Sequence, residues 1–178
     1  MGKFTLGQKR PLIIAGPCSA ETREQTLETA LRLARSGKVD VIRAGIWKPR
    51  TKPGTFEGIG EIGLDWLNEV KEQTGIPIAV EIALKHGVDI LWIGARTTVS
   101  PFAVQEIAEA LHDNKDVTVL IKNPMTPDIN LWEGAVKRLI AEGVPEKNIG
   151  LIHRGFSYFG HSTYRNPPMW HMIFDMRS

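Results

Sequence analysis

The chain has 178 residues, of which 42% are hydrophobic and 24% charged, the composition of an ordinary soluble globular domain. Its formal net charge of +2 is too small to indicate a nucleic-acid or membrane-surface partner. The single cysteine, Cys18, excludes an intrachain disulfide, and the first residues lack the apolar core of a signal peptide. We therefore expect a cytoplasmic protein, with no apolar run long enough to span a membrane.

Short apolar runs alternate with longer amphipathic segments. The pattern predicts, in chain order, a strand at 11–19, a helix at 22–37, a strand at 39–47, a helix at 64–74, strands at 76–82 and 88–94, a helix at 101–112, a strand at 117–121, a helix at 128–142 and a strand at 149–153. Thr22 is the predicted N-cap of the first helix, Gly37 its C-terminal stop, and Pro101 the first-turn proline of the third helix. Strands rich in Val, Ile and Leu on both faces indicate a parallel sheet covered by helices on both sides.

Two architectures fit this alternation, a doubly wound sheet and a (β/α)8 barrel. A dinucleotide-binding sheet would show a G-x-G-x-x-G loop after its first strand, whereas this strand ends in Gly-Pro-Cys-Ser at 16–19. Nearly every strand ends in a polar or charged group, as in a barrel whose C-terminal strand ends form the site. We predict one catalytic (β/α)8 domain over residues 1–178, incomplete because six strand candidates are visible and the last two β/α units are absent after residue 178.

The connection between the third and fourth predicted strands is too short for a barrel. Only residues 83–87 separate the two strands, and parallel neighbours need a crossover of about a dozen residues. Either a segment is absent here or one of the two strand predictions is wrong. We favour an absent segment near residues 79–84.

Basic residues at four strand ends predict an anion-binding site. In a barrel the loops at the C-terminal strand ends converge, so these side chains would share one rim. Like charges at close range are costly unless anions lie between them, and Arg and Lys are suited to phosphate and carboxylate. The residues are Lys48 and Arg50 after the second strand, Arg96 after the fourth, Lys122 at the end of the fifth and Arg154 after the sixth.

Six segments in this order resemble the type I 3-deoxy-D-arabino-heptulosonate-7-phosphate (DAHP) synthase family, in the branch close to 3-deoxy-D-manno-octulosonate-8-phosphate (KDO8P) synthase. They are GPCSAE at 16–21, RAGIWKPRT at 43–51, PGTFEG at 53–58, WIGART at 92–97, KNP at 122–124 and HRGFS at 153–157. The resemblance runs from about residue 11 to the end of the chain. It implies the first step of the shikimate pathway to aromatic amino acids, in which phosphoenolpyruvate condenses with erythrose 4-phosphate and phosphate is released.

The resemblance also implies which residues bind the two substrates. The phosphate and carboxylate of phosphoenolpyruvate would be held by Arg96, Lys122 and Arg154. The KPRT loop would meet erythrose 4-phosphate through Lys48, Arg50 and Thr51, with Arg50 also near phosphoenolpyruvate. Lys48 is the family's candidate for proton transfer, so Lys48 and Arg50 are the expected catalytic residues.

Cys18 matches the metal-ligand cysteine of the family. A thiolate with His and carboxylate partners suits a divalent ion of the Mn, Fe, Co or Zn class, which would act as a Lewis acid on the aldehyde of erythrose 4-phosphate. The family carries its other ligands, a His, a Glu and an Asp, mostly on the last two strands, and these are expected beyond residue 178. Oligomers are usual in the family, and some members of this branch carry a fused chorismate mutase domain.

Two alternatives remain open. A KDO8P synthase would use arabinose 5-phosphate, but that family tends to carry a K-A-N-R-like loop where this chain has KPRT at 48–51. A non-catalytic degenerate barrel would act as a scaffold or regulatory partner. The missing metal ligands favour this second alternative, and the intact cluster of basic residues argues against it.

These residues alone would form an open barrel with exposed sheet edges, which is not expected to fold or to be active by itself. We therefore expect the sequence to record part of a longer protein. Mass spectrometry of the purified protein should give a mass well above the 19.8 kDa of these residues. A mass near that value would contradict the expectation.

Overall fold

The computed structural model describes residues 11–47, 54–81, 88–114 and 116–156, together with Met176. Each of the six predicted strands and four predicted helices is confirmed in these ranges, with shorter strands than the sequence pattern indicated. The elements are β1 (Ile14–Ala15), α1 (Arg23–Arg35), β2 (Val41–Arg43), α2 (Ile62–Thr74), β3 (Ile78–Glu81), β4 (Ile90–Ile93), α3 (Ala95–Thr98), α4 (Pro101–Ala110), β5 (Thr118–Lys122), α5 (Ile129–Ala141) and β6 (Ile149–Ile152), with a 3₁₀ turn at Glu146–Asn148.

The strands pair in chain order, β1-β2-β3-β4-β5-β6. The chain divides into two compact units, Met1–Leu91 and Trp92–Ser178. In the first unit β2 pairs in parallel with β1 and β3. In the second unit β5 pairs in parallel with β6, and Lys122 lies opposite Ile152 at the C-terminal end of this ladder.

Local signals at the helix ends explain why these helices begin and end where they do. The side chain of Thr22 accepts a hydrogen bond in the first turn of α1, and Ser100 and Asp128 do the same for α4 and α5. Pro101 occupies the first turn of α4, as predicted. Among the described residues, no helix has the length and apolar character that crossing a membrane requires.

Strands β2 to β5 are buried on both faces, as predicted for a parallel sheet between layers of helices, whereas β1 and β6 are only partly buried. Ile78, Ala79 and Val80 are consecutive in β3, so their side chains alternate between the two faces, and each is 0% exposed. All four residues of β4 are buried as well. Both strands flanking the short connection are therefore present, although residues 82–87 between them lie outside the described residues. The alternative that one of these two strand predictions is wrong is excluded.

Asp89 ties α2 to the N-terminal ends of two strands. It lies directly before β4, and its carboxylate accepts hydrogen bonds from Lys71 Nζ at 2.7 Å and from the backbone N–H of Ile78 at 3.0 Å. The side chains of Lys71 and Asp89 are 19% and 27% exposed, so solvent screens their ion pair only in part. This end of the strands lies opposite the predicted site, and Asp89 has a stabilising role there.

Replacing Asp89 by alanine should lower the free energy of unfolding by about 1–3 kcal/mol, because both charge-assisted hydrogen bonds are lost. Urea denaturation of the purified protein measures this change. Asp113→Ala is the matched control, because Asp113 is an exposed carboxylate. Equal stability of the two variants would contradict the role given to Asp89.

Candidate functional site at the C-terminal strand ends

The C-terminal ends of β4, β5 and β6 carry three of the predicted substrate-binding residues. Arg96 lies in α3 directly after β4, Lys122 is the last residue of β5, and Arg154 follows β6 by two residues. All three belong to the unit Trp92–Ser178. Arg96 is exposed, whereas Lys122 and Arg154 are half-buried. Their positions at successive strand ends agree with the predicted anion site.

Thr98 links the end of β4 to the end of β5. Its hydroxyl lies 3.0 Å from the carbonyl oxygen of Gly94 and 2.9 Å from that of Lys122, and its side chain is 1% exposed. Thr98 belongs to α3, a four-residue helix in a segment that the sequence analysis treated as a loop. The hydroxyl therefore anchors α3, which carries Arg96, to the strand end that carries Lys122.

Lys122 packs against a buried aromatic ring. Its Nζ lies 5.1 Å from the centroid of the Trp92 ring, and Trp92 is 4% exposed. A cation at this distance from an indole ring is attracted to the negative face of the ring. The contact restricts the position of the Lys122 ammonium group.

Asn123 is a buried residue at the site that the sequence analysis did not select. Its backbone N–H donates to the carbonyl of Ile152 at 3.0 Å, which extends the β5–β6 ladder by one bond. Its side-chain Oδ1 accepts from the backbone N–H of Arg154 at 2.7 Å, and Nδ2 donates to the carbonyls of Pro124 at 2.8 Å and Gly155 at 2.9 Å. The sequence signal that could have selected Asn123 is its place in the KNP motif, between the end of a buried strand and a proline.

Arg154 carries a guanidinium nitrogen that is buried without a partner. Its Nη1 donates no hydrogen bond to the described residues. An unsatisfied buried donor of a charged group is costly, and the cost is offset when an anion accepts from it. Gly155 follows with φ of +78°, a left-handed conformation that favours glycine and turns the chain directly after Arg154.

His153 contributes packing rather than charge to the start of this loop. Its ring centroid lies 6.4 Å from that of Trp132 and 5.5 Å from that of Phe156, and neither ring nitrogen has a hydrogen-bond partner among the described residues. Burial lowers the pKa of His153 below its usual value of 6.5. The imidazole is therefore neutral at pH 7, and His153 adds no further positive charge beside Arg154.

Cys18, the predicted metal ligand, lies in a turn that is fixed to β2 in the unit Met1–Leu91. The guanidinium of Arg43 donates to the carbonyl of Pro17 at 2.8 Å. A Cβ atom on Gly16 would lie 1.8 Å from the carbonyl oxygen of Arg43, so only glycine permits this approach. The turn leaves the Cys18 thiol exposed.

The described residues contain no group of three or more His, Cys, Asp or Glu side chains placed to hold one metal ion. A protein site for a divalent transition ion normally uses at least three such ligands, and Cys18 supplies one thiolate. The donors in the described part of the chain therefore do not complete a metal site.

Lys48, Arg50 and Thr51 of the KPRT segment lie outside the described residues. A hydrogen bond connects the described residues on either side of this segment: the backbone N–H of Gly60 donates to the carbonyl of Ile46 at 2.9 Å. Gly60 thus lies next to Ile46, beyond the C-terminal end of β2.

Comparison with known proteins identifies the family. The model of the DAHP synthetase I family matches residues 3–173. The chain is 41% identical over 103 residues to a phospho-2-dehydro-3-deoxyheptonate aldolase of Thermotoga maritima, a match that covers 54% of this chain and 30% of that protein. It is 28% identical over 191 positions to a 2-dehydro-3-deoxyphosphooctonate aldolase of Nitrosococcus oceani, covering 98% of this chain and 62% of that protein.

A solved structure extends the likeness to the fold. The crystal structure of the phospho-2-dehydro-3-deoxyheptonate aldolase (DAHP synthase) from Thermotoga maritima matches with a TM-score of 0.78 and 30% identity, over 93% of this chain and 48% of that one. The likeness confirms the predicted (β/α)8 fold. This chain thus spans between about a third and two thirds of the length of these three relatives.

The Nitrosococcus match is longer than this chain. The 191 matched positions exceed the 178 residues of this chain, so that relative has internal residues with no counterpart here. This agrees with the interpretation that an internal segment is absent. On the family model, the similar sequences and the shared fold, the chain belongs to the DAHP synthetase I family.

Proposed function

We propose that this protein is a DAHP synthase, a transferase that condenses phosphoenolpyruvate with erythrose 4-phosphate and releases phosphate. The observation that carries the proposal is the set of three cations at successive strand ends, in which the buried Nη1 of Arg154 has no hydrogen-bond partner among the described residues. Membership of the DAHP synthetase I family supports the reaction class. The Thermotoga maritima relative supports the choice of erythrose 4-phosphate.

Phosphoenolpyruvate carries a carboxylate and a phosphate on the same carbon, C2, and both groups suit a cluster of basic side chains. In the proposed reaction C3 of phosphoenolpyruvate forms a bond to the aldehyde carbon of erythrose 4-phosphate. Water adds at C2, and the bond from C2 to the phosphate oxygen breaks to leave a ketone and inorganic phosphate. Negative charge moves onto the leaving phosphate in this last step, and fixed cations stabilise it.

The three cations have different roles in this proposal. Arg154 is suited to a bidentate contact with phosphate or carboxylate, because its guanidinium presents paired donors in a plane. Lys122 supplies a point charge whose position is restricted by the Trp92 ring. Arg96 is exposed at the rim and meets the anion on entry.

The remaining roles rest on family motifs. We propose that Lys48, Arg50 and Thr51 bind erythrose 4-phosphate, with Lys48 transferring a proton at the reacting centre and Arg50 also contacting phosphoenolpyruvate. Cys18 would be one ligand of a divalent ion, which polarises an aldehyde oxygen when bound. We further propose a cytoplasmic homo-oligomer.

A KDO8P synthase is the second candidate, because the Nitrosococcus oceani relative matches 98% of this chain. Turnover of the full-length natural protein with each aldose phosphate separates the two. We expect phosphate release and a seven-carbon product with erythrose 4-phosphate, and little or no product with arabinose 5-phosphate. Activity only with arabinose 5-phosphate would overturn the choice. A protein that turns over neither substrate and binds no divalent ion would be the non-catalytic scaffold.

Arg154→Ala should weaken the binding of phosphoenolpyruvate by about tenfold to a hundredfold, the loss of a charge-assisted hydrogen-bonded pair. Isothermal titration calorimetry measures the dissociation constant. Arg35→Ala is the matched control, because it removes the same charge from an exposed position at the end of α1. The same affinity in both variants would show that Arg154 does not bind the substrate.

A further inference from the structure

We propose that Asn123 is the positioning residue of the anion site, which holds Arg154 in place beside the strand end that carries Lys122. The inference rests on the proposed function, since it concerns the geometry in which phosphoenolpyruvate is bound. Asn123 itself does not touch the substrate in this account. It acts through the backbone of the loop that carries Arg154.

The contacts of Asn123 use both donors of its side-chain amide. Nδ2 donates one hydrogen to the carbonyl of Pro124 and the other to the carbonyl of Gly155, while Oδ1 accepts from the N–H of Arg154. Asn123 is 0% exposed, so bulk water does not compete for its hydrogen bonds. Two of the three bonds reach the loop after β6, one at the backbone N–H of Arg154 itself and one at the carbonyl of the next residue, Gly155. They fix the direction in which the Arg154 side chain leaves the main chain.

This restraint matters because the guanidinium lies in an unfavourable place when no anion is bound. Nη1 of Arg154 is buried and donates no hydrogen bond to the described residues. An arginine side chain without restraint would turn such a nitrogen toward water. Holding the loop keeps the donor ready for the anion. Binding then does not require the loop to be ordered first, and affinity gains from this preorganisation.

Asn123 also fixes the distance between two cation-bearing segments. It follows Lys122 directly, and its own N–H bonds to the carbonyl of Ile152, which is paired with Lys122 in the β5–β6 ladder. Asn123 therefore connects the end of β5 to the loop after β6 at two residues, Arg154 and Gly155. A shift of that loop would move Arg154 relative to Lys122, and the two side chains would no longer be placed to bind one small anion together.

A double-mutant cycle tests this role by calorimetric titration with phosphoenolpyruvate on the purified natural protein. Asn123→Ala should weaken binding by about tenfold in the otherwise unchanged protein, which corresponds to one lost hydrogen bond of interaction energy. In the Arg154→Ala background the same change should weaken binding by less than about twofold, because the residue through which Asn123 acts is gone. An equal effect in both backgrounds would overturn the proposal.

A merely structural role has a different signature. If Asn123 only stabilised the fold, Asn123→Ala would lower the thermal unfolding midpoint and the fraction of protein that binds. The dissociation constant of the folded protein would then stay unchanged, and that result would also overturn the proposal. Asn130→Ala is the matched control, since Asn130 is an exposed asparagine near the start of α5. The Asn130→Ala variant should bind phosphoenolpyruvate with the affinity of the unchanged protein.

The isosteric change Asn123→Asp keeps the test open if Asn123→Ala does not fold. It retains an acceptor for the Arg154 N–H but sets a carboxylate oxygen against the carbonyls of Pro124 and Gly155. We expect binding at least tenfold weaker, about the cost of one lost hydrogen bond, and unchanged affinity would contradict the inference. If the unchanged protein itself does not bind phosphoenolpyruvate, the proposed function fails first and the inference fails with it.

Discussion

The proposed site depends on one electrostatic constraint: positively charged side chains lie at neighbouring strand ends, and like charges at close range repel. At a few ångströms of separation this repulsion is worth several kcal/mol near a protein surface, so the cations need a rigid support. The described residues supply that support with neutral, buried hydrogen bonds. Thr98 joins the segment of Arg96 to the carbonyl of Lys122, and Asn123 joins the end of β5 to the loop of Arg154. In the proposed function, an anion bound between the charges relieves this repulsion.

Stability and function are divided between the two ends of the strands. At the N-terminal ends, Asp89 neutralises Lys71 and accepts from the backbone of β3, so the charges there are paired within the protein. At the C-terminal ends, the Nη1 of Arg154 has no partner among the described residues. This contrast is the one expected of a (β/α)8 barrel, in which the C-terminal ends of the strands build the site. It is also the physical reason to propose the Nη1 of Arg154 as one of the donors to the anion.

Sequence reasoning predicted what depends on local pattern. The strands were visible because runs such as Ile90–Ile93 are apolar on both faces, and α1 and α5 were visible because of their apolar spacing. The family motifs selected Arg96, Lys122 and Arg154, and each lies at a strand end. Helix α3 was missed because four residues are too few to show a helical period.

The role of Asn123 could not be predicted, because its partners Arg154 and Gly155 lie 31 and 32 residues further along the chain. Only a folded β5–β6 ladder brings them together. The neutral state of His153 has the same origin, since the burial that lowers its pKa comes from tertiary packing around the ring. Sequence therefore indicated which charges form the proposed site, and the fold was needed to show what holds them.

The most direct test of this account is a crystal structure of the full-length natural protein bound to phosphoenolpyruvate. The account predicts phosphate or carboxylate oxygens within about 2.7–3.2 Å of nitrogen atoms of Arg96, Lys122 and Arg154, with the Nη1 of Arg154 among them. It also predicts that Asn123 keeps its bonds to Arg154 and Gly155 in the complex. Phosphoenolpyruvate bound elsewhere, or bound while the Nη1 of Arg154 stays without a partner, would contradict it.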